Sequence, residues 1–127
     1  SIANNIAIAK ADATYDEIVE AAKKASIHDF IMSLPKQYDT EVGELGDTLS
    51  GGEKQRIGIA RAFLHSNGNN LMMLDEPTSN LDSLNEGIIL KSLKESAASK
   101  TVVLVSHRVS TMNVADTVYE MENGRVS

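Results

Sequence analysis

The sequence predicts an α/β fold, and three observations carry that prediction. Two short apolar runs, residues 71–74 and 101–105, have the length and composition of strands buried on both faces of a parallel sheet. A helix-patterned stretch lies between them, which makes one right-handed strand–helix–strand crossover. Helix-start signals recur upstream, at Thr14 and at Ser50.

Each element can be argued in turn. Thr14 and Glu17 form a capping box, in which hydroxyl and carboxylate satisfy the free N–H groups of a helix start. Tyr15, Ile18, Val19, Ala22 and Ala25 then recur at helical spacing. Ser26 and Asp29 give a weaker version of the same signal for a short helix through Leu34, which Pro35 ends. Residues 40–46 read as a Gly-rich acidic loop. Ser50 and Glu53 are a second capping box, and Ile57, Ala60, Phe63 and Leu64 form the buried stripe of its helix. Arg56 and Arg61 read as surface or salt-bridging residues on that helix. Asn67, Gly68, Asn69 and Asn70 turn the chain into the first strand. Asp82 caps a helix that carries Leu84, Ile88 and Leu93 inward. Residues 117–121, Asn123-Gly124 and Arg125-Val126 read as a hairpin with a tight turn.

Composition sets outer bounds. The 127 residues fit one small domain, and 42% hydrophobic content is enough for a core. A net charge of -6 argues against a general nucleic-acid surface. Without cysteine there are no disulfides and no thiolate metal sites. No apolar run approaches a membrane span and no secretory signal is visible, so the chain itself is expected to be soluble.

The chemistry gathers where the first strand ends. Leu71-Met72-Met73-Leu74 runs directly into Asp75 and Glu76. A buried strand ending in acids sets them at the carboxyl edge of the sheet, where open α/β sheets bind ligands. Asp75 suits a magnesium ion held through water, since Mg²⁺ takes few carboxylates and keeps part of its hydration. Glu76 suits a base for a water that attacks a phosphate. His107 follows the second strand and shares that edge. At Ser50-Gly51-Gly52 a helix starts with bare N–H groups, a hydroxyl and the positive dipole end, a natural phosphate site. A purely structural capping role would account for Ser50 and Glu53 without any ligand, but glycine is costly in a first turn unless something approaches the backbone closely.

In order and spacing, Leu49-Ser50-Gly51-Gly52-Glu53, the strand ending in Asp75-Glu76, Ser79-Asn80-Leu81-Asp82 and Ser106-His107 resemble the nucleotide-binding domain of ABC transporters. They resemble its signature motif, Walker B strand with catalytic glutamate, D-loop and switch histidine. Residues 40–46 resemble the X-loop of exporters, with Leu45 where that family usually has a polar or basic residue. No G-x-x-x-x-G-K-[ST] occurs in the sequence. The resemblance therefore covers the C-terminal half of such a domain without its Walker A, and both ends look truncated. It implies a partial P-loop NTPase fold: a helical subdomain over 1–50 with the X-loop-like segment, then over 51–127 the C-terminal ATPase core with a hairpin.

The functional expectations follow from that resemblance. ATP and Mg²⁺ are the implied ligands, with Asp75 for the metal and Glu76 and His107 catalytic. Ser50, Gly51 and Gly52 would serve the ATP of a partner domain, and Ser79 and Asp82 would lie at a head-to-tail dimer interface. A transmembrane domain is the second implied partner, and the parent protein would sit at the cytoplasmic face of the cell membrane. The isolated chain is expected to be inactive and to self-associate through an unpaired strand edge. Two other readings stay open at this point. One is the C-terminal head lobe of an SMC-type ATPase, which coiled-coil heptads should precede; the other is a non-catalytic interaction module on an ABC scaffold.

Overall fold

The computed structural model describes residues 1–45, 49–118, 121–122 and 125–126. Helix α1 (Ile2–Ile6) buries Ile2 and Ile6, and a 3₁₀ turn (Ala7–Ala9) follows. Helix α2 (Tyr15–Lys24) opens with the expected capping box: Thr14 Oγ1 accepts from Glu17 N–H, and the Glu17 carboxylate accepts from Thr14 N–H. Ile18, Ala22 and Ala25 are buried as the spacing requires, whereas Tyr15 is largely exposed.

Ser26 does not cap the next helix. It adopts φ +58 and closes α2 instead, with Ile27 N–H bonding to Ala22 O and Ser26 N–H to Lys23 O. That is the double closure of a Schellman end, with serine in the left-handed position usually given to glycine. Helix α3 (His28–Met32) consequently starts without a side-chain cap and stops two residues before Leu34. A 3₁₀ turn (Gln37–Asp39) buries Tyr38. Val42–Leu45 forms one helical turn, α4, where the sequence suggested loop, and Gly46 lies outside the described residues.

Helix α5 (Gly51–Ser66) is the centre of the packing, in contact with α1, α2 and the following strand. Ile57, Ala60, Phe63 and Leu64 are buried as expected, and Ile59 joins them. Among the described residues its arginines pair with no acid. The Arg61 guanidinium donates to the Asn5 carbonyl at 3.0 Å and also to the Asn5 side chain. Arg56 donates to Ser26 O at 2.5 Å and to Asn85 Oδ1 at 3.3 Å. Both tie α5 to backbone carbonyls of other segments, where the sequence suggested surface or salt-bridging residues.

Strand β1 (Leu71–Asp75) and strand β2 (Thr101–Val105) pair in parallel, with Leu71 beside Thr101 and Asp75 beside Val105. Helix α6 (Ser83–Ser96) joins them, capped by Asp82 as predicted, the carboxylate accepting from Asn85 N–H at 2.8 Å. Of Leu84, Ile88 and Leu93 only Leu93 faces inward. Glu86, Ile89, Leu90 and Leu93 are buried, while Leu84 and Ile88 face out. Helix α7 (Val109–Val114) follows β2, and β3 (Met121–Glu122) and β4 (Arg125–Val126) pair antiparallel. The second hairpin strand falls where it was read, whereas of the first, read over 117–121, only Met121 is strand among the described residues, joined by Glu122; the tight turn read at Asn123-Gly124 lies outside the described residues.

The expectation of strands buried on both faces is corrected. Met72 is buried, and Leu74, Val102 and Leu104 pack against the core. On the other face Leu71 is 51%, Met73 65% and Val105 54% exposed. No described element lies over that side of the two-stranded sheet, so the apolar runs have one wet face.

Candidate active-site edge

Strand β1 delivers Asp75 to the carboxyl end of the sheet, and the chain then turns sharply. Glu76 adopts φ +46, a region that residues other than glycine seldom enter. Such a conformation costs about 1–3 kcal/mol and persists only where its surroundings over-determine it. Here they do. Glu76 N–H donates to Val105 O at 2.7 Å, extending the β1–β2 ladder by one residue. Its carbonyl accepts from Gln55 Nε2 at 2.8 Å. Pro77 and Thr78 follow as buried residues and anchor the turn.

The strained backbone throws the Glu76 carboxylate across the sheet end. Glu76 Oε1 accepts from the backbone N–H of His107 at 3.1 Å, and His107 Nε2 lies 3.7 Å from the same oxygen. The Glu76 side chain is 31% exposed and the His107 ring 96%. Asp75, one residue before, is exposed beside them. The three residues expected at one edge are therefore together, two carboxylates and an imidazole open to an incoming ligand.

Behind this edge Arg108 is anchored to α6. Its Nε lies 2.6 Å from the Glu86 carboxylate, which is nearly fully buried. Burial pushes the Glu86 carboxyl up, but contacts from Arg108, Thr78 and Ser110 outweigh that and hold it below the usual carboxylate value. The pair fixes the segment that follows His107. Neither residue stood out in the sequence, because a glutamate on a helix and an arginine in a loop carry no local signature.

The second group sits at the start of α5. The Ser50–Glu53 capping box is formed, Glu53 N–H donating to Ser50 Oγ at 3.1 Å and Ser50 N–H to Glu53 Oε1 at 3.3 Å. The two glycines differ. A Cβ on Gly51 would meet only the Asn80 side chain at 3.7 Å, but a Cβ on Gly52 would meet the Asn80 carbonyl at 3.0 Å. Part of the glycine requirement is thus internal, since the 79–82 segment itself approaches the helix start. Ser79 and Asp82 are also engaged within the chain: Ser79 Oγ accepts from Gln55, and Asp82 holds Asn85 through both carboxylate oxygens. Among the described residues no hydrogen bond joins Ser50, Gly51 or Gly52 to Asp75, Glu76 or His107. Gln55, one turn into α5, is what links the two groups.

Asp75 and Glu76 are hard oxygen donors side by side, and among the described residues no three acidic or histidine side chains are arranged to hold a metal ion by themselves. Such a sparse set fits Mg²⁺, which keeps several waters and takes phosphate oxygens as its remaining ligands.

A family model described as ABC transporter matches residues 2–79. The chain belongs to that family. This ABC transporter chain is 63% identical, over 127 residues, to an ABC transporter ATP-binding/permease protein of Haemophilus influenzae, covering all of the chain and 23% of that protein. It is 51% identical over 126 residues to a multidrug export ATP-binding/permease protein of Bacillus subtilis, covering 99% of the chain and 21% of the relative. Among solved structures, a bacterial Atm1-family ABC exporter with ATP bound superimposes with a TM-score of 0.88 at 42% identity, over 100% of this chain and 22% of that one. The ABC transporter chain thus spans about a fifth of the length of these relatives. The fold is part of a P-loop ATPase of exporter type, and no described helix is long and apolar enough to cross a membrane.

Proposed function

We propose that this chain is part of the ATP-binding and hydrolysing domain of an ABC exporter, where ATP hydrolysis is coupled to transport across a membrane. The observation that carries the reading is the Glu76 carboxylate, held in a strained turn at the sheet edge and aimed at the His107 backbone. In this reading Glu76 accepts a proton from the attacking water as the water oxygen bonds to the γ-phosphorus. The bond from that phosphorus to the ADP oxygen breaks, and the leaving oxygen departs as part of ADP. The exposed His107 ring is free to turn toward the γ-phosphate and stabilise the transferring group. Asp75 would hold Mg²⁺ through water, and the ion would offset phosphate charge.

Ser50, Gly51 and Gly52 serve the ATP bound by a second nucleotide-binding domain, through the Ser50 hydroxyl, the first-turn N–H groups of Gly51 and Gly52 and the positive end of α5. Ser79 and Asp82, on the segment packed against that helix start, face the same dimer interface. Residues 1–50 form the helical subdomain with the X-loop-like segment that meets the transmembrane partner, and residues 51–127 belong to the ATPase core at the cytoplasmic face. The ATP-binding/permease names of the relatives support a membrane-domain partner and favour this reading over an SMC-type lobe or a non-catalytic module.

Ser50→Arg in the intact protein tests the assignment. A bulky cation at the helix start should abolish ATP turnover while each domain keeps its fold. Turnover near the wild-type rate would remove Ser50 from the nucleotide site.

A further inference from the structure

We infer that Gln55 is a positioning residue for Glu76: one side-chain amide clamps the turn that aims the catalytic carboxylate. The inference rests on the ATPase reading above. Gln55 Nε2 donates to Glu76 O at 2.8 Å and to Ser79 Oγ at 3.0 Å, and Gln55 Oε1 accepts from Asn80 N–H at 3.0 Å. The amide therefore spans the turn from its first residue to its fourth successor, using donor and acceptor sides at once.

The need for such a clamp comes from the backbone. Glu76 is one of three non-glycine residues with positive φ among those described, and its N–H is already committed to Val105. The Gln55 bond holds the other side of the same residue. Without it the carbonyl keeps only a long bond from Ser79 N–H at 3.4 Å, φ can relax toward the usual region, and the carboxylate loses its aim at the His107 N–H. Glutamate cannot replace glutamine here, because a carboxylate offers acceptors only and would face the Glu76 carbonyl with its own oxygen. Among the described residues the Gln55 side chain makes its hydrogen bonds to this turn and none to Ser50, Gly51 or Gly52. Its loss should consequently act on the chemical step more than on nucleotide affinity.

The test is steady-state ATP hydrolysis by the intact protein, comparing Gln55→Ala, Gln55→Glu, Glu76→Gln and the double variant Gln55→Ala with Glu76→Gln. Each Gln55 variant should lower kcat by about ten- to a hundredfold, the scale of a misplaced catalytic group. KM for ATP should stay within about twofold. Thermal unfolding should move by a few degrees at most. The double variant should be no slower than Glu76→Gln alone, because Gln55 acts only through Glu76. If Glu76→Gln abolishes turnover but the Gln55 variants keep wild-type kcat, raise KM alone, or compound the Glu76→Gln loss, Gln55 does not position Glu76 and the ATPase reading stands. If both Gln55 variants fail to fold, the residue is structural and the inference is overturned. Wild-type turnover in Glu76→Gln would overturn the ATPase reading and the inference together.

Discussion

The backbone N–H of His107 donates to the Glu76 carboxylate at 3.1 Å, joining the exits of two parallel strands. Thirty-one residues separate the pair in sequence. The bond exists because β1 and β2 pair in register up to Asp75 and Val105, so whatever follows each strand arrives at the same edge. A carboxylate and an imidazole are brought together by sheet registry, with no loop needed to reach across.

The first prediction separates the two signature glycines. Gly52→Ala pushes a Cβ to 3.0 Å from the Asn80 carbonyl, a backbone atom with little room to yield. Such overpacking typically costs about 1–3 kcal/mol. Gly51→Ala meets only a side chain at 3.7 Å and should be close to neutral. Denaturant unfolding of the 127-residue chain checks both, and equal effects would mean that the approach of Asn80 is not what requires glycine.

Phe63, on α5, heads the fully buried side chains by volume. Phe63→Ala should destabilise the chain by about 3–5 kcal/mol, through lost transfer energy and the cavity left behind. The same unfolding measurement reads it. A loss under about 1 kcal/mol would mean that the α5 core collapses freely around the gap.

Tyr38 predicts an alkaline response. Burial is the main cause that pushes its phenol from 10.0 up to about 12, with the nearby Tyr15 adding to it. The hydroxyl also shares a 2.7 Å hydrogen bond with His28 Nδ1. Because the folded-state value is raised, the folded chain keeps this proton longer than the unfolded chain does. The associated stability is full below about pH 10 and is lost as pH rises through about 12. Ultraviolet titration should show a tyrosine ionising near pH 12 that Tyr38→Phe removes. A titration curve unchanged by Tyr38→Phe would contradict the assignment.

Much of this site was legible because its signals are local. Both capping boxes, the acids at the end of β1 and the histidine after β2 each lie within a few residues of the element that places them. What was not legible depends on distant contacts. Gln55 acquires its role from groups 21 to 25 residues away, and nothing in its neighbourhood marks it. Ser26 carried a helix-start pattern, yet the Schellman closure of α2 claimed it first. On α6 only Leu93 of the three apolar residues read there is buried, because Glu86 turns inward to meet Arg108, a pairing no periodicity reveals. The strands were read as covered on both faces because an apolar run is the same whether or not another layer lies over it.

That open face gives a further prediction. Leu71, Met73, Val103 and Val105 form an apolar surface beside unpaired strand edges, an arrangement that recruits another chain. The isolated chain should self-associate, and Met73→Lys should weaken the association. Scattering from dilute solution decides it: a monomer at all concentrations, with and without Met73→Lys, would show that the face stays wet at no cost.

The central claim is that Glu76 is the base of an ATP-hydrolysing site, and Glu76→Gln in the intact protein tests it most directly. The amide keeps the shape of the side chain and can still meet the His107 N–H, but it cannot take a proton from water. ATP binding should survive while turnover falls by about a hundredfold or more, the upper range for loss of a general base. Steady-state turnover within a few-fold of wild type, with nucleotide bound equally well, would contradict the account.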